Sequence, residues 1–364
     1  MAALSGQGVT DLSGHDATAG GLPPPPAVHY VHGGQRDYKQ RKAQAARSQK
    51  YREQRLSAYA QRIDSENLPN QEDTVHWCYQ SYRRLHLYPQ LWKELKDPNH
   101  TGGPRKPTVK EIHAANEMVH NPKVFKLFTH GKVVVLDHYH RDQILAVIEF
   151  TPIKDLLPKE KKDLQFLSHF LHESKEFVNP VKSTGQSWGG HMWALGWRKA
   201  MAAAELIGRY IKQLAVRKNP QKYDKLMSTS NRASNILGTM FKSMASIPFR
   251  KNQALMKENQ IPSFSSLKFH SPLHNHHCSP HLTFTSDGFF NIPHHDRRDN
   301  TDFAFALFLP HNKLNGTLAD PADGYNVTGG PFVIPDYCFG IDFSAQKGVV
   351  KLLWASKKLE HCTL

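Results

Sequence analysis

The sequence predicts an α+β fold in which helices buttress a small antiparallel barrel or jelly roll. Two patterns lead to this prediction. Toward the end of the chain, short β-type runs alternate with turns built from Gly, Asn and Asp, as in small antiparallel barrels. Farther upstream, apolar residues recur at helical spacing. A disordered tail and a basic helix are expected to precede this core.

Residues 1–35 form the predicted disordered tail. They are rich in Gly, Ala and Pro, and positions 23–26 are consecutive prolines. Such a segment cannot bury enough apolar surface to offset the entropy lost on ordering. We therefore expect the folded part of the chain to begin after it.

Residues 36–110 are predicted to be a basic helical segment followed by a linker. Residues 36–63 contain nine Lys and Arg residues among helix-favouring Gln and Ala, with only Asp37 and Glu53 to oppose them. Apolar positions are sparse, so the helix should have little to pack against. It could follow a phosphate backbone, serve as a nuclear-import signal, or be solvated without a partner. No leucine heptad favours a dimer, and we expect a monomer.

Aromatic and basic residues are interleaved between positions 76 and 92, among them Trp77, Tyr79 and Arg83. Such residues could stack on bases, but the core face of a short helix is the more frequent arrangement. The following Pro- and Gly-containing stretch, residues 98–107, indicates a linker. The main predicted domain then occupies residues 111–364.

Residue periodicity predicts the elements of this domain. β-Type runs predict strands at residues 132–137 and 144–150. Residues 159–177 and 198–217 each carry apolar residues on one helical stripe and predict helices. Later β-type runs predict strands at residues 302–310, 332–335, 339–343 and 349–354.

The composition favours a nucleic-acid partner. Lys and Arg number 47 against 32 Asp and Glu, which gives a net charge of +15 at pH 7. Because this charge is uneven along the chain, a polyanionic partner explains it better than solubility alone. The sequence has no run of 18 apolar residues, no signal peptide and no CxxC pair among its four cysteines. These features favour a reducing compartment without a membrane span, and we expect a nuclear location.

Residues 291–299 contain a His-x-Asp triplet, His294 and Asp296. In extended backbone, residues two apart point to the same side, so this imidazole and carboxylate converge while His295 faces away. They would supply two of the three protein ligands in the 2-His-1-carboxylate arrangement that holds non-haem Fe(II). A downstream histidine, His361, could complete it inside a barrel. With 23 histidines in the chain, the triplet alone is also compatible with a polar surface loop.

Several motifs occur in a fixed order through the second half of the chain. They are Met-Trp-Ala-Leu-Gly-Trp-Arg at 192–198, Thr-Ser-Asp-Gly-Phe at 285–289, Pro-His-His-Asp-Arg-Arg-Asp at 293–299, Gly-Gly-Pro-Phe-Val-Ile-Pro at 329–335, Gly-Ile-Asp-Phe at 340–343 and His-Cys-Thr at 361–363. Together they resemble the Tet-like 2-oxoglutarate-Fe(II) oxygenase domain of fungal proteins. The resemblance covers residues 130–364 and implies a double-stranded β-helix core.

The resemblance also implies a chemistry. Fe(II) would be held by His294, Asp296 and His361, with 2-oxoglutarate as cosubstrate. The implied reaction is oxidation of 5-methylcytosine, and methylated DNA is the expected partner. An oxygenase acting on RNA or protein is an alternative, as is a catalytically impaired fragment that serves as a basic nucleic-acid-binding module.

The cosubstrate anchor is the point where the chain departs from the family pattern. Relatives usually place an Arg one strand after the distal His, where it binds the far carboxylate of 2-oxoglutarate. This chain ends at Leu364, three residues past His361. We therefore expect either a truncated C-terminus or a substitute cation, for which Arg198 is the candidate.

A second group of possible metal ligands occurs within residues 270–281. It consists of His270, His274, His276, His277, Cys278 and His281. His and Cys are the usual zinc ligands, but this spacing matches no zinc finger and lacks a second Cys. A surface loop next to the cleft is the favoured interpretation.

Overall fold

The computed structural model describes most of the chain after residue 32. The described residues are 33–70, 74–181, 187–199, 206–297, 299–324, 327, 330–344 and 346–364. The chain divides into two units, Met1–Lys50 and Tyr51–Leu364. The predicted tail, residues 1–35, lies outside the described residues apart from its last three positions. The predicted boundary at residue 110 falls inside the second unit.

Helix α1, Gly33–Arg62, confirms the predicted basic helix. Its positions 38–50, which belong to the first unit, are all exposed. In the second unit the end of the helix differs, because Ala58 and Tyr59 are buried, as is Ile63 just beyond it. The prediction that this segment has little to pack against is therefore wrong for its last turns.

The remaining helices all lie in the second unit. Helix α4 confirms the helix predicted at residues 159–177, and α3 begins with a capping box between Thr108 and Glu111. The helices are α2 (Pro89–Lys96), α3 (Val109–His120), α4 (Pro158–Ser174), α5 (Gln213–Lys218), α6 (Pro220–Ser228), α7 (Ser230–Met244) and α8 (Ser246–Glu258).

A five-stranded sheet carries much of the core of the second unit. Its strands are β1 (Val75–Gln80), β3 (Lys132–Asp137), β4 (Ile144–Pro152), β8 (Ala304–Phe308) and β11 (Gly348–Trp354). The order is β1-β3-β4-β11-β8, with β1 parallel to β3 and the other neighbours antiparallel. Trp77 and Tyr79 thus lie on a strand, and the prediction that they belong to a short helix is wrong.

The two faces of this sheet are buried by different partners, because successive side chains of a strand point to opposite sides. Val134 and Leu136 of β3 pack with apolar residues of α1, α7 and α8. Val133 and Val135 pack instead with residues of a second sheet. The alternation along β3 therefore places helices on one side of the sheet and strands on the other.

The second sheet has four strands and brings the C-terminal segment into the fold. They are β2 (Lys126–Phe128), β9 (Phe332–Ile334), β10 (Phe339–Ile341) and β12 (Cys362–Thr363), in the order β12-β9-β10-β2. Strand β12 is antiparallel to β9, with Cys362 opposite Val333. This pairing fixes the residues that surround His361.

The third sheet consists of β5 (Ser187–Lys199), β6 (Leu206–Arg209) and β7 (His281–Asn291), with β5 in the centre. The prediction of a helix at residues 198–217 is wrong, since Lys199 pairs with Leu206 and a helix begins only at Gln213. Gly208 adopts a φ of +123°, outside the helical region, and strand pairing outweighs the apolar stripe.

Within the described part of the chain, no helix combines the length and the apolar character that crossing a membrane requires.

Candidate metal centre

An antiparallel bridge joins the segment that follows β7 to the C-terminal segment. The backbone N–H of His294 donates to the carbonyl of His361 at 3.1 Å, and the N–H of His361 donates to the carbonyl of His294 at 2.9 Å. The N–H of Asp296 donates to the carbonyl of Ser356 at 3.1 Å. These main-chain bonds bring His361 beside a triplet that lies far earlier in the sequence.

The side chains of His294, Asp296 and His361 converge as a result. Their ligand atoms all lie within 4.8 Å of one another, and among the described residues no other group of His, Cys, Asp and Glu has metal-binding spacing. Nε2 of His294 lies 3.6 Å from Oδ1 of Asp296, and Nε2 of His361 lies 3.4 Å from Oδ2. Bonds of about 2.1 Å to one ion, at right angles, would separate neighbouring ligand atoms by about 3 Å. The two imidazole–carboxylate separations are longer than this value by about 0.5 Å.

Both imidazoles are held with Nε2 free to bind a metal. Nδ1 of His294 lies 2.9 Å from the carbonyl oxygen of Ile292, and Nδ1 of His361 lies 3.0 Å from that of Leu359. Because a carbonyl can only accept a hydrogen bond, each Nδ1 carries the proton and each Nε2 keeps its lone pair. Metal-ligating histidines are commonly oriented by such a second hydrogen bond.

Burial and charge favour the metal-binding protonation states. Burial, together with the neighbouring His361, holds the pKa of His294 below its usual value and favours the neutral ring. Burial alone would raise the pKa of Asp296, but His361 beside the carboxylate and the nearby imidazoles of His294 and His295 hold that pKa below its usual range. At neutral pH the site therefore presents a neutral His294 and an ionised Asp296.

The site is closed on one side and open on the other. His361 is 4% exposed, and its ring packs against Phe332 and Trp354. The side chains of His294 and Asp296 are 29% and 35% exposed. The indole N–H of Trp354 is buried and has no hydrogen-bond partner among the described residues, so it offers a free donor near His361.

Sequence reasoning missed Asp336, a buried residue between β9 and β10. One of its carboxyl oxygens accepts a hydrogen bond from the backbone N–H of Glu360 at 3.2 Å. Burial raises the pKa of Asp336 to about 7. Asp336 thus holds the residue that precedes ligand His361. The available signal was a Pro-Asp pair between two β-type runs, which is typical of a turn and says nothing about its partner.

The structure does not bring Arg198 to the other three predicted site residues. Strands β5 and β7 are antiparallel, with Gly196 opposite His281 at the start of β7. The triplet follows the opposite end of β7, so Arg198 and the triplet lie near different ends of this strand pair. Arg198 is exposed, with its guanidinium 5.7 Å from the ring centre of Tyr210. The role of Arg198 as the 2-oxoglutarate anchor stays a prediction.

The histidine-rich segment, residues 270–281, is built differently. His277 is only 1% exposed, so the segment is not wholly a surface loop. The backbone N–H of His274 donates to Nδ1 of His277 at 3.2 Å, and Nε2 of His277 lies 3.4 Å from the hydroxyl of Ser265. Burial and the neighbouring His274 lower the pKa of His277 to about 4.

Comparisons with known proteins place the chain in a family. A search of curated proteins found no match to it. Residues 157–364, more than half of the chain, match the family model described as the Tet-like 2OG-Fe(II) oxygenase superfamily. The matched region contains His294, Asp296 and His361. The chain therefore belongs to the Tet-like 2OG-Fe(II) oxygenase superfamily, whose cofactors are Fe(II) and 2-oxoglutarate.

Proposed function

We propose that this protein is an Fe(II)- and 2-oxoglutarate-dependent dioxygenase that oxidises 5-methylcytosine in DNA. The observation that carries the proposal is the convergence of His294, Asp296 and His361 within the matched region. Family membership supports the dioxygenase chemistry. The choice of DNA as substrate is supported by the Tet-like resemblance and the net charge of +15.

The residues present fit the metal. Two imidazoles and one ionised carboxylate form the donor set of 2-His-1-carboxylate sites, which leaves coordination positions open. The cosubstrate would enter from the side on which His294 and Asp296 are partly exposed. When bound, Fe(II) and 2-oxoglutarate would provide the chemistry by which dioxygen oxidises an unactivated C–H bond.

The protein contributes orientation and enclosure. The carbonyls of Ile292 and Leu359 keep the two rings in the tautomer that has Nε2 free. Phe332 and Trp354 exclude water from the buried side of His361.

A duplex substrate needs further binding energy, because a methylated base must leave the helix stack at a cost of a few kcal/mol. The nine basic residues within 36–63 support phosphate contacts that would offset part of this cost. The same residues support a nuclear location. The two sheets that share a core support the double-stranded β-helix that the resemblance implies.

The direct test is mass spectrometry of nucleosides after incubating a methylated duplex with protein, Fe(II), ascorbate and 2-oxoglutarate. We expect 5-hydroxymethylcytosine from the wild type and none from Asp296→Ala. A methylated RNA serves as the competing substrate, and its oxidation in place of the duplex would redirect the proposal to RNA. Iron binding without oxidation of either nucleic acid would favour a binding module or a protein substrate.

The basic helix can be tested separately in the full-length chain. Six of its nine basic residues lie in the first unit: Arg36, Lys39, Arg41, Lys42, Arg47 and Lys50. Replacing them with Gln keeps helix propensity and removes the charge. We expect weaker DNA binding and a log–log salt dependence that is flatter by about 0.9 per lost phosphate contact. An unchanged salt dependence would show that these charges do not contact DNA.

A further inference from the structure

A buried side chain also links the two segments that carry the metal ligands. Asn291, the last residue of β7, is 6% exposed. Its side-chain carbonyl oxygen accepts a hydrogen bond from the backbone N–H of Thr363 at 2.7 Å. Asn291 lies shortly before ligand His294, and Thr363 lies shortly after ligand His361. The contact therefore ties the segments together next to the metal centre.

The geometry of antiparallel pairing explains why Thr363 needs a side-chain acceptor. His294 and His361 exchange both backbone hydrogen bonds, so the next pair to do so would be Ile292 and Thr363. In a regular ladder, the carbonyl of Ile292 would accept from the N–H of Thr363. Here that carbonyl lies 2.9 Å from Nδ1 of His294 and accepts its proton instead. The N–H of Thr363 is left for another acceptor, and Asn291 supplies it.

We propose that Asn291 is a positioning residue for the metal centre, an inference that rests on the proposed role of His294 as a ligand. By accepting the hydrogen bond from Thr363, Asn291 frees the carbonyl of Ile292 to hold the His294 ring. The ring then keeps its proton on Nδ1 and presents the Nε2 lone pair to the metal. The side-chain nitrogen of Asn291 lies 3.5 Å from Nδ1 of His294, farther than the 2.9 Å to the carbonyl of Ile292, so that carbonyl is the partner that fixes the tautomer.

Loss of this amide sets up a competition for one carbonyl. Without Asn291, the N–H of Thr363 turns to the carbonyl of Ile292, as in a regular ladder. His294 then loses the acceptor that fixes its tautomer and also populates the form with the proton on Nε2. That form has no Nε2 lone pair and cannot bind the metal through this nitrogen.

The experiment compares full-length Asn291→Leu, which removes the acceptor, with Asn291→Asp, which keeps an oxygen there. Anaerobic titration with Fe(II) gives the dissociation constant, and ¹⁵N NMR of the metal-free protein gives the tautomer of His294. We expect Asn291→Leu to bind Fe(II) about 10- to 100-fold more weakly, the usual effect of losing support for a ligand. Its His294 should shift toward the Nε2-protonated form, whereas Asn291→Asp should resemble the wild type.

A second variant separates positioning from general stability. Thr363→Pro removes the competing N–H, so the double variant Asn291→Leu/Thr363→Pro should regain Fe(II) affinity and the Nδ1-protonated tautomer. Ser230→Ala is the matched control, since it deletes a buried hydroxyl that donates to the carbonyls of Met227 and Ser265. It should lower the melting temperature and leave both the affinity and the tautomer unchanged.

Two results would overturn the inference, and they are distinguishable. Wild-type Fe(II) affinity and an unchanged tautomer in Asn291→Leu would show that Asn291 does not position His294, even if the enzyme is active. Failure of the wild type to bind Fe(II) would overturn the proposed function and, with it, the role of Asn291.

Discussion

The metal centre and the histidine-rich segment use the same residue type to opposite effect. In the metal centre, Nδ1 of His294 and of His361 donates to a carbonyl, which leaves each Nε2 with a free lone pair. In the segment, Nδ1 of His277 accepts the N–H of His274, so its lone pair is used and its proton sits on Nε2. A histidine whose Nδ1 faces a carbonyl keeps Nε2 free to bind a metal, whereas one whose Nδ1 faces an N–H does not. This hydrogen-bond partner, rather than the number of histidines, distinguishes a metal ligand from a structural histidine.

The two regions also differ in how they are held. The metal ligands come from two segments distant in sequence, joined by main-chain bonds. The histidine-rich segment is fixed against helices, since the side-chain amide of Gln253 lies 3.3 Å and 3.0 Å from the carbonyls of His274 and His277. A side chain at Gly238 of α7 would overlap the carbonyl of His276. Parts of the segment are therefore fixed against α7 and α8.

The largest effect is expected at the metal centre. Asp296→Ala removes the carboxylate ligand and should weaken Fe(II) binding by more than about 100-fold, the upper end for residues that only support a ligand. His295→Ala is the matched control and should keep most of the affinity. Anaerobic titration with Fe(II) measures both, and equal losses would mean that His295 is a ligand.

A smaller effect on stability is expected from His277. Its pKa is about 4 in the folded chain against an ordinary 6.5, so between these values the unfolded chain binds a proton that the folded chain does not. The free energy of unfolding should fall as pH drops from 6.5 to 4, by about 1.4 kcal/mol per unit or roughly 3 kcal/mol in total.

Urea unfolding across this pH range measures that contribution. His277→Asn does not titrate, so its stability should depend less steeply on pH than that of the wild type. Parallel pH profiles of the two proteins would contradict a buried neutral His277.

The packing of the histidine-rich segment against α7 gives the next prediction. Gly238→Ala should lower the free energy of unfolding by about 1–3 kcal/mol, because the added methyl group overlaps the carbonyl of His276. Gly103→Ala is the control, since nothing lies within 4 Å of a methyl group there. Fe(II) affinity should be unchanged in both, and a loss of affinity in Gly238→Ala would couple the two regions.

The smallest effect is expected at His276, a half-buried residue of the histidine-rich segment. His276→Ala should leave one Fe(II) bound per chain. Among the described residues, this segment has no group of His, Cys, Asp and Glu side chains close enough together to bind a metal. Metal content of the purified protein, measured by elemental analysis, checks this. If the wild type binds a second metal and the variant loses it, the histidine-rich segment is also a metal site.

The sequence predicts best what depends on neighbours in the chain. The run at residues 132–137 coincides with β3, and the two-residue spacing of His294 and Asp296 correctly predicts a shared direction. Strand β1 was missed because its parallel pairing with β3 is a long-range event. The prediction of a helix at 198–217 failed because β6 pairs with β5, and Gly208 within β6 lies outside the helical region.

The supporting contacts of the metal centre could not be predicted for the same physical reason. The role of Asn291 depends on the direction of one carbonyl, that of Ile292, and on a partner, Thr363, at the other end of the chain. Spacing in the sequence carries no information about either. That the N–H of Thr363 needs a side-chain acceptor can be seen only once the register of His294 against His361 is known.

The strand order of the five-stranded sheet has a consequence for producing the enzyme in the laboratory. The family match begins at residue 157, yet β4 ends at Pro152 and lies between β3 and β11. A recombinant fragment trimmed to the match would leave β11 without β4, one of its two neighbours. Its bare edge would pair with other chains, and precipitation during expression is the expected result. A working catalytic fragment should therefore start no later than Tyr51, well upstream of the region by which the family is recognised.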